Sequence, residues 1–376
     1  MKTMTMRRAL LPGIAALTLA LSGCGAGNDT SDDPTTGGSS TGGDTPSLSG
    51  ELNGGGATSQ EKAQNAWRTG FQTANGDVTV NYDPIGSGDG RKGFISEAYA
   101  FAGTDSALND DEGELTAATE RCGGGNVIQV PAYVSPIAVM FNLGEDILSL
   151  NLSGEVVANI FNGTVTKWND AAIADLNPDV DLPDTDISPV HRQDDSGTTE
   201  NFTKYLEAAG NGAWTYEPDG LWPDALSGEA ADGTSGVVGV VSGAEGTIGY
   251  ADASAVGDLG IASIQVGEEF NPPSAEGAAK VVAISPAAEG VPETDMAVDL
   301  ARDTTESGTY PVILLSYLIA CETYSDADEA ALVKAYLTYA VSPEGQEAAN
   351  AEAGSAPLDS TLQDKALSLL EGISAG

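Results

Sequence analysis

Histidine is almost missing from this chain. His191 is the single imidazole among 376 residues, so a metal centre of clustered imidazoles is excluded and a Ser-His-Asp hydrolase would have to use that one residue as base. Positive charge is scarce too, with 15 Lys+Arg against 56 Asp+Glu. A chain this acidic offers no basic face to a nucleic acid or to an anionic membrane surface. No Gly-x-Ser-x-Gly elbow set between a strand and a helix is evident, and no pair among the many carboxylates stands out as an acid/base couple.

What is present starts at the N-terminus. Lys2, Arg7 and Arg8 precede an apolar run from Ala9 to Leu21 that ends in Leu21-Ser22-Gly23-Cys24, the layout of a secretory signal with a lipoprotein cleavage box. The run contains Pro12 and is shorter than the ~20 residues that span a bilayer. Residues 1–23 are therefore expected to be removed, leaving Cys24 as a diacylated N-terminus whose palmitate-class chains hold an extracytoplasmic domain at the membrane. Residues 24–49 are almost wholly Gly, Ser, Thr, Asp, Asn and Pro, a flexible tether. Without the three basic residues of the signal, the mature chain carries 12 Lys+Arg against 56 Asp+Glu, a net charge of −44. That field repels anions at long range but dies within about 8–10 Å at moderate ionic strength. An anion held by this protein must be held by short-range donors and one or two cations.

Beyond Cys24 only Cys122 and Cys321 remain, an even pair in an exported chain. A disulfide is the favoured reading, with two buried free thiols as the alternative.

The folded part starts near residue 50 and runs roughly 325 residues, too long for one ordinary core, so two lobes are expected. Apolar segments at Val78–Tyr82, Ile128–Phe141 and Val312–Ala320 alternate with helical patterns at Glu155–Phe161 and Thr199–Ala209, which predicts an α/β fold with largely parallel sheets. Ser153 is placed to cap the first of those helices, and Asn169 or Asp170 to start the next. Three C-terminal helices are expected at Asp326–Ala340, at Pro343–Ala351 with Ser342 as cap, and at Ser360–Leu370.

Three segments share one design, a Gly/Ser/Thr-rich turn that runs straight into a helical pattern: Gly54-Gly55-Gly56-Ala57-Thr58-Ser59, Gly86-Ser87-Gly88-Asp89-Gly90, and Asp194-Asp195-Ser196-Gly197-Thr198-Thr199. The first N–H groups of a helix lack intrahelical acceptors and sit at the positive end of its dipole, so such turns suit a tetrahedral oxyanion. Each alone also fits an ordinary N-cap; it is the convergence of three that points to a site. Arg192 adds a charged fork matched to oxyanion geometry, with a surface ion pair as the alternative. Asp105 follows the apolar Phe101-Ala102-Gly103 and taken alone fits an Asx-turn.

These residues together resemble a known family. Gly56-Ala57-Thr58, Gly86-Ser87 with Thr104-Asp105, and Arg192-x-Asp194-x-Ser196-Gly197-Thr198 look like the signature segments of the phosphate-binding proteins of phosphate-specific ABC transporters. Leu152-Ser153-Gly154 through Phe161-Asn162-Gly163, Trp168-Asn169-Asp170, Thr247-Ile248-Gly249-Tyr250 and Ala356-Pro357-Leu358 extend the similarity from residue 50 to about 360. The resemblance implies a type II periplasmic-binding-protein fold, two α/β lobes joined by two crossover strands. Lobe I would comprise residues 50–135 and 309–376 and lobe II residues 136–308, crossing at Tyr133–Ala138 and Tyr310–Leu315.

It implies a binding protein rather than an enzyme, a monomer with no cofactor and no metal, that hands inorganic phosphate to a membrane permease. The phosphate site it implies is Thr58, Ser59, Ser87, Asp105, Arg192, Ser196, Gly197 and Thr198. Two positions depart from the family pattern: Ser59 stands where an aromatic residue is usual, and Asp195 stands where Gly is usual. The alternatives are a receptor for sulfate or molybdate, a secreted phosphatase, and a surface adhesin or signalling role. From the lipoprotein box, Cys24→Ala is expected to release the protein from the membrane fraction. A variant that still pellets after a carbonate wash would place the anchor elsewhere.

Overall fold

The computed structural model describes residues 48–110 and 113–376. The expected signal peptide, Cys24 and all but the last two residues of the expected tether lie outside the described residues. Among the described residues no helix is long and apolar enough to cross a membrane.

The chain opens with β1 (Gly50–Gly56), a 3-10 turn at Thr58–Gln60 and α1 (Glu61–Ala74), followed by β2 (Val78–Pro84), α2 (Ser87–Ile95), β3 (Phe101–Thr104) and α3 (Glu114–Arg121). The long β4 (Val127–Phe141) leads to β5 (Ser149–Leu152), α4 (Gly154–Phe161), α5 (Ala171–Ala174), β6 (Ser188–Arg192), α6 (Gly197–Ala209), β7 (Glu229–Ala231), α7 (Gly233–Gly243) and β8 (Thr247–Asp252). After β9 (Gly260–Val266), β10 (Glu269–Asn271) and α8 (Ala275–Ile284) the chain returns along β11 (Ile313–Cys321) and β12 (Thr323–Tyr324). It ends with α9 (Ala327–Val341), α10 (Pro343–Ala353), α11 (Ser360–Glu371) and β13 (Ser374–Ala375).

The main strands lie side by side in the order β2-β1-β3-β11-β4-β8-β6-β7. Pairing is parallel on the flanks, β1 with β2 and β3, and β6 with β7 and β8. Through the middle it is antiparallel, with β11 inserted between β3 and β4 and β4 paired to β8. The expected largely parallel sheet is therefore a mixed one, because β11 returns from late in the chain and runs against both of its neighbours. β4 serves both flanks: its residues up to Pro136 pair with β11, and Ile137–Phe141 pair with β8. Every residue of β4 and β11 is buried, which explains why both read as unbroken apolar runs rather than as alternation.

The capping expectations match the structure. Ser153 Oγ accepts from Val156 N–H at 3.2 Å, Asp170 caps α5, and Ser342 caps α10 with Pro343 in its first turn. The stretch Gly54-Gly55-Gly56 differs from expectation, since it is the end of β1 and not a turn. A Cβ on Gly54 would lie 2.2 Å from the Phe101 ring, and one on Gly56, at φ +142°, 1.9 Å from the Gly103 carbonyl. The glycines let β1 lie flush against β3, so that the chain delivers Ser59 to Asp105 and Thr58 to Thr234.

Cys122 and Cys321 form a disulfide with Cα atoms 5.4 Å apart, tying the residue that follows α3 to the last residue of β11. The bridge closes a loop with a sequence separation of 199, so the Cys122→Ser, Cys321→Ser double variant is expected to lose up to about 5 kcal/mol on urea unfolding. Intact mass under non-reducing denaturation checks the bond itself: two alkylatable thiols in the native protein would remove it.

Candidate functional site

Four strand and helix ends meet at one carboxylate. Asp105, the first residue past β3, is 3% exposed, and a carboxylate out of water must be supplied with donors. Ser59 Oγ donates to both of its oxygens, at 2.7 and 2.8 Å. Thr198 Oγ1 donates to Oδ2 at 2.9 Å and Ser316 Oγ to Oδ1 at 2.6 Å. The carboxylate is thus held by hydroxyls from other segments, not by its own backbone as an Asx-turn would have it. Burial pushes the Asp105 carboxyl above its ordinary range, while the Ser316, Ser59 and Thr198 hydroxyls and the charge of Arg192 pull it back.

The two helices that begin here are fitted to each other. The Asp105 N–H donates to Ser87 Oγ at 3.1 Å, at the first residue of α2. A Cβ on Gly197, the first residue of α6, would lie 2.7 Å from both Asp105 Cβ and Ser87 Oγ. Only glycine allows the start of α6 to close on Ser87 and Asp105, and two positive helix ends are thereby brought to one place. Ser196 behaves as an ordinary N-cap, its Oγ accepting from Thr199 N–H at 3.2 Å. Thr58 Oγ1 lies 2.9 Å from Thr234 Oγ1 and accepts from Thr234 N–H at 3.2 Å, which links the opening loop to α7.

Arg192, at the end of β6, has a side chain only 2% exposed. Its Nε donates to Asp194 Oδ1 at 2.7 Å and its Nη2 to Asp194 Oδ2. Burial alone would raise the Asp194 carboxyl, but the hydrogen bonds and charge of Arg192 and the Gly233 N–H, 3.0 Å away, hold it below the usual carboxylate value. The surface ion pair considered for Arg192 is instead a largely buried one with two prongs. The Arg192 N–H donates to Tyr250 Oη at 3.2 Å. Burial, ahead of all other causes, pushes that phenol up to about 12, and its oxygen lies 2.7 Å from Thr199 Oγ1, in a hydrogen bond that either hydroxyl can donate.

Of the expected site residues, Thr58, Ser59, Ser87, Asp105, Ser196, Gly197 and Thr198 are joined by direct contact or adjacency, and Arg192 acts on Asp105 through its charge. The sequence reading missed Ser316, Asn201 and Thr234. Ser316 is the one small hydroxyl in an apolar strand, and the register of β11 against β4 shifts between Ser316 and Tyr317, an irregularity that re-aims a side chain. Asn201 Nδ2 donates to the Asp105 carbonyl at 2.7 Å and to the Gly197 carbonyl at 2.8 Å, while its Oδ1 accepts from the buried Arg302. His191 lies on β6 with its ring stacked on Trp222, centroids 5.1 Å apart. Among the described residues no three His, Cys, Asp or Glu side chains are grouped to hold a metal ion.

With this geometry in view, comparison with known proteins is specific. A family model for the PBP superfamily domain matches residues 34–344. The chain is 35% identical over 375 residues to the phosphate-binding protein PstS2 of Mycobacterium bovis, across 96% of this chain and 97% of that one. It is 31% identical over 288 residues to the phosphate-binding protein PstS of Haemophilus influenzae, across 75% of this chain and 81% of that one. Among solved structures it resembles a high affinity periplasmic phosphate-binding protein bound with phosphate, with TM-score 0.68 and 22% identity, covering 84% of this chain and 92% of the other.

The Arg192–Asp194 pair yields a stability prediction with a sign. Removing the guanidinium leaves Asp194 largely buried with only backbone N–H donors, those of Gly233 and of Asp194 itself, so Arg192→Ala is expected to lose about 3 kcal/mol at pH 7. The native Asp194 carboxyl lies below its unfolded value. Its contribution is therefore present above the ordinary carboxylate range and lost as pH falls through the native value. Urea unfolding of both proteins should show the gap shrink as the medium is acidified through and below that range. A gap independent of pH would mean that Arg192 acts by packing alone.

Proposed function

Because the chain belongs to the phosphate-binding proteins of the PBP superfamily, with the type II periplasmic-binding-protein fold, we propose that it captures inorganic phosphate outside the cytoplasm and delivers it to an ABC transporter permease. The single observation that carries this reading to the residues is Asp105, a buried carboxylate ringed by the hydroxyls of Ser59, Thr198 and Ser316. Each hydroxyl has one hydrogen to give. When the hydroxyls turn to the oxygens of an incoming oxyanion, Asp105 is freed to accept the anion's own O–H. Thr58, Ser87, the N–H groups that open α2 and α6, and Arg192 complete the cradle, with Ser196 and Gly197 shaping the second helix start.

The motion we assign is hinge closure of lobe I, residues 50–135 and 309–376, on lobe II, residues 136–308. Support comes from β4, which pairs with β11 on one side of Pro136 and with β8 on the other. Cys122 and Cys321 fall in the same lobe on this division, so their bridge leaves opening unhindered. Cys24 would carry the lipid anchor, and the protein would act as a monomer presented to its permease by the tether. We assign it no catalysis: its relatives carry the name of phosphate-binding proteins, and the ring of His191, the one imidazole of the chain, is stacked on Trp222. Incubation with a chromogenic phosphate ester tests that point.

Asp105 also separates phosphate from sulfate and molybdate. At neutral pH phosphate keeps a hydroxyl while sulfate keeps none, and an ionised carboxylate only accepts. Against sulfate Asp105 would meet another acceptor and stay buried without a partner, a loss of several kcal/mol that amounts to discrimination of many thousandfold. Asp105→Asn is expected to keep measurable phosphate binding, since an amide can present either face, while its preference over sulfate narrows sharply. Competition of sulfate against labelled phosphate on both proteins at one ionic strength reads this directly. Equal rejection of sulfate by both would take Asp105 out of the discriminating role.

A further inference from the structure

Asp195 stands where the family pattern has Gly, and a carboxylate beside an anion site should weaken binding. The structure shows where that carboxylate goes. Its Oδ2 lies 3.1 Å from Lys92 Nζ and its Oδ1 4.0 Å from Arg91 Nη2, both on α2. The Asp195 carbonyl accepts from Gly88 N–H at 3.1 Å, in the first turn of the same helix. A seat has been left for it: a Cβ on Gly88 would lie 2.0 Å from Asp195 Cγ, and one on Gly220 2.4 Å from Asp195 Oδ1. The next residue is fixed as well, with Ser196 N–H donating to the Gly220 carbonyl at 2.9 Å.

We propose that Asp195 is a latch between the lobes: its carboxylate ties the segment bearing Arg192, Ser196 and Thr198 to the helix bearing Ser87, and so slows release of the bound anion. The proposal rests on the phosphate reading and its hinge closure. α2 belongs to lobe I and Asp195 to lobe II, so the ion pair exists only where the two meet. It also accounts for two glycines at once, since any side chain at Gly88 or Gly220 would occupy the place of the carboxylate. The charge stays local, because Arg91 is shared with Glu114 at 2.8 Å and Lys92 with Asp89 at 3.7 Å. Lys92 is 62% exposed at its side chain and Asp195 22%, so solvent screening keeps the effect modest.

The sign of the effect decides the matter. If Asp195 acted as a simple negative charge, Asp195→Asn would tighten phosphate binding; as a latch, it must loosen it. The experiment is dissociation of labelled phosphate from wild type, Asp195→Asn, Lys92→Gln and the double variant, with calorimetry for affinity. Asp195→Asn is expected to release phosphate about twofold to fivefold faster at low ionic strength, the range of an exposed ion pair. Lys92→Gln should do much the same, the double variant no more than either, and the difference should fade near 0.5 M salt, where the screening length is about 4 Å. A Gly88→Ala chain, which fills the seat, should also release faster, and Asp195→Gly on that background should recover part of the loss. Release from Asp195→Asn that is unchanged or slower, in a series whose wild type binds phosphate, overturns the latch and leaves the phosphate reading standing. A wild type that gives no heat with phosphate overturns both.

Discussion

A carboxylate removed from water has to be supplied with hydrogen-bond donors, and most of the architecture around the site can be read as the supply line to Asp105. Ser59 comes from the turn after β1, Ser316 from a strand 211 residues further along the chain than Asp105, and Thr198 from the start of α6. Bringing those three hydroxyls together fixes where β11 must lie, which is between β3 and β4, and fixes how closely α6 may approach α2. None of the donors carries charge. A lysine or arginine in contact with Asp105 would have formed a closed ion pair, and such a pair presents no acceptor to a ligand. Hydroxyls satisfy the carboxylate and remain able to turn away from it.

Close approach is the second constraint, and glycine is how the chain meets it. Gly54 and Gly56 let β1 run under Phe101 and along Gly103, and Gly197 lets the first turn of α6 touch Ser87 and Asp105. Behind Thr199 and Arg192 the aromatic wall is tight, with Phe202 and Tyr250 stacked at 4.3 Å and Phe161 edge-on to Phe202 at 4.9 Å. That wall holds the Tyr250 hydroxyl in place to accept from the Arg192 N–H and to share a hydrogen bond with the Thr199 hydroxyl. Rigid packing of this kind keeps the donors oriented before a ligand arrives, so less ordering is left for binding to accomplish.

Much of this was legible in the sequence because it is local. The caps Ser153, Asp170 and Ser342 and the buried runs of β4 and β11 follow from rules that need a few neighbouring residues, whereas α2 and α6 begin inside the expected turns, at Ser87 and Gly197. The candidate site residues were named for a different reason, the ordered agreement of several short segments with one family, and the structure brings most of them into contact around Asp105. What was hidden depends on long-range pairing. Gly54-Gly55-Gly56 has the composition of a turn, and only the Phe101 ring and Gly103 show that it is a strand end. Ser316 reads as one hydroxyl in a core strand until the register shift beside it aims it at Asp105. Asp195 reads as an unfavourable charge because Lys92, its partner, is 103 residues away in the chain.

The extreme acidity of the chain extends to the surroundings of the site. Three of the chain's 15 Lys+Arg, namely Arg91, Lys92 and Arg192, stand where the Asp194-Asp195 segment meets α2, and each is matched to a carboxylate. The neighbourhood is therefore poor in net positive charge, and the wider surface is strongly negative. An oxyanion is not drawn in by a field, because the field beyond one screening length is small and of the wrong sign. What the site offers instead is a set of neutral O–H and N–H donors and one acceptor. On the proposed reading, selection would turn on whether the ligand has a hydrogen to give to Asp105, a property that separates anions of nearly equal size and shape where charge alone would not.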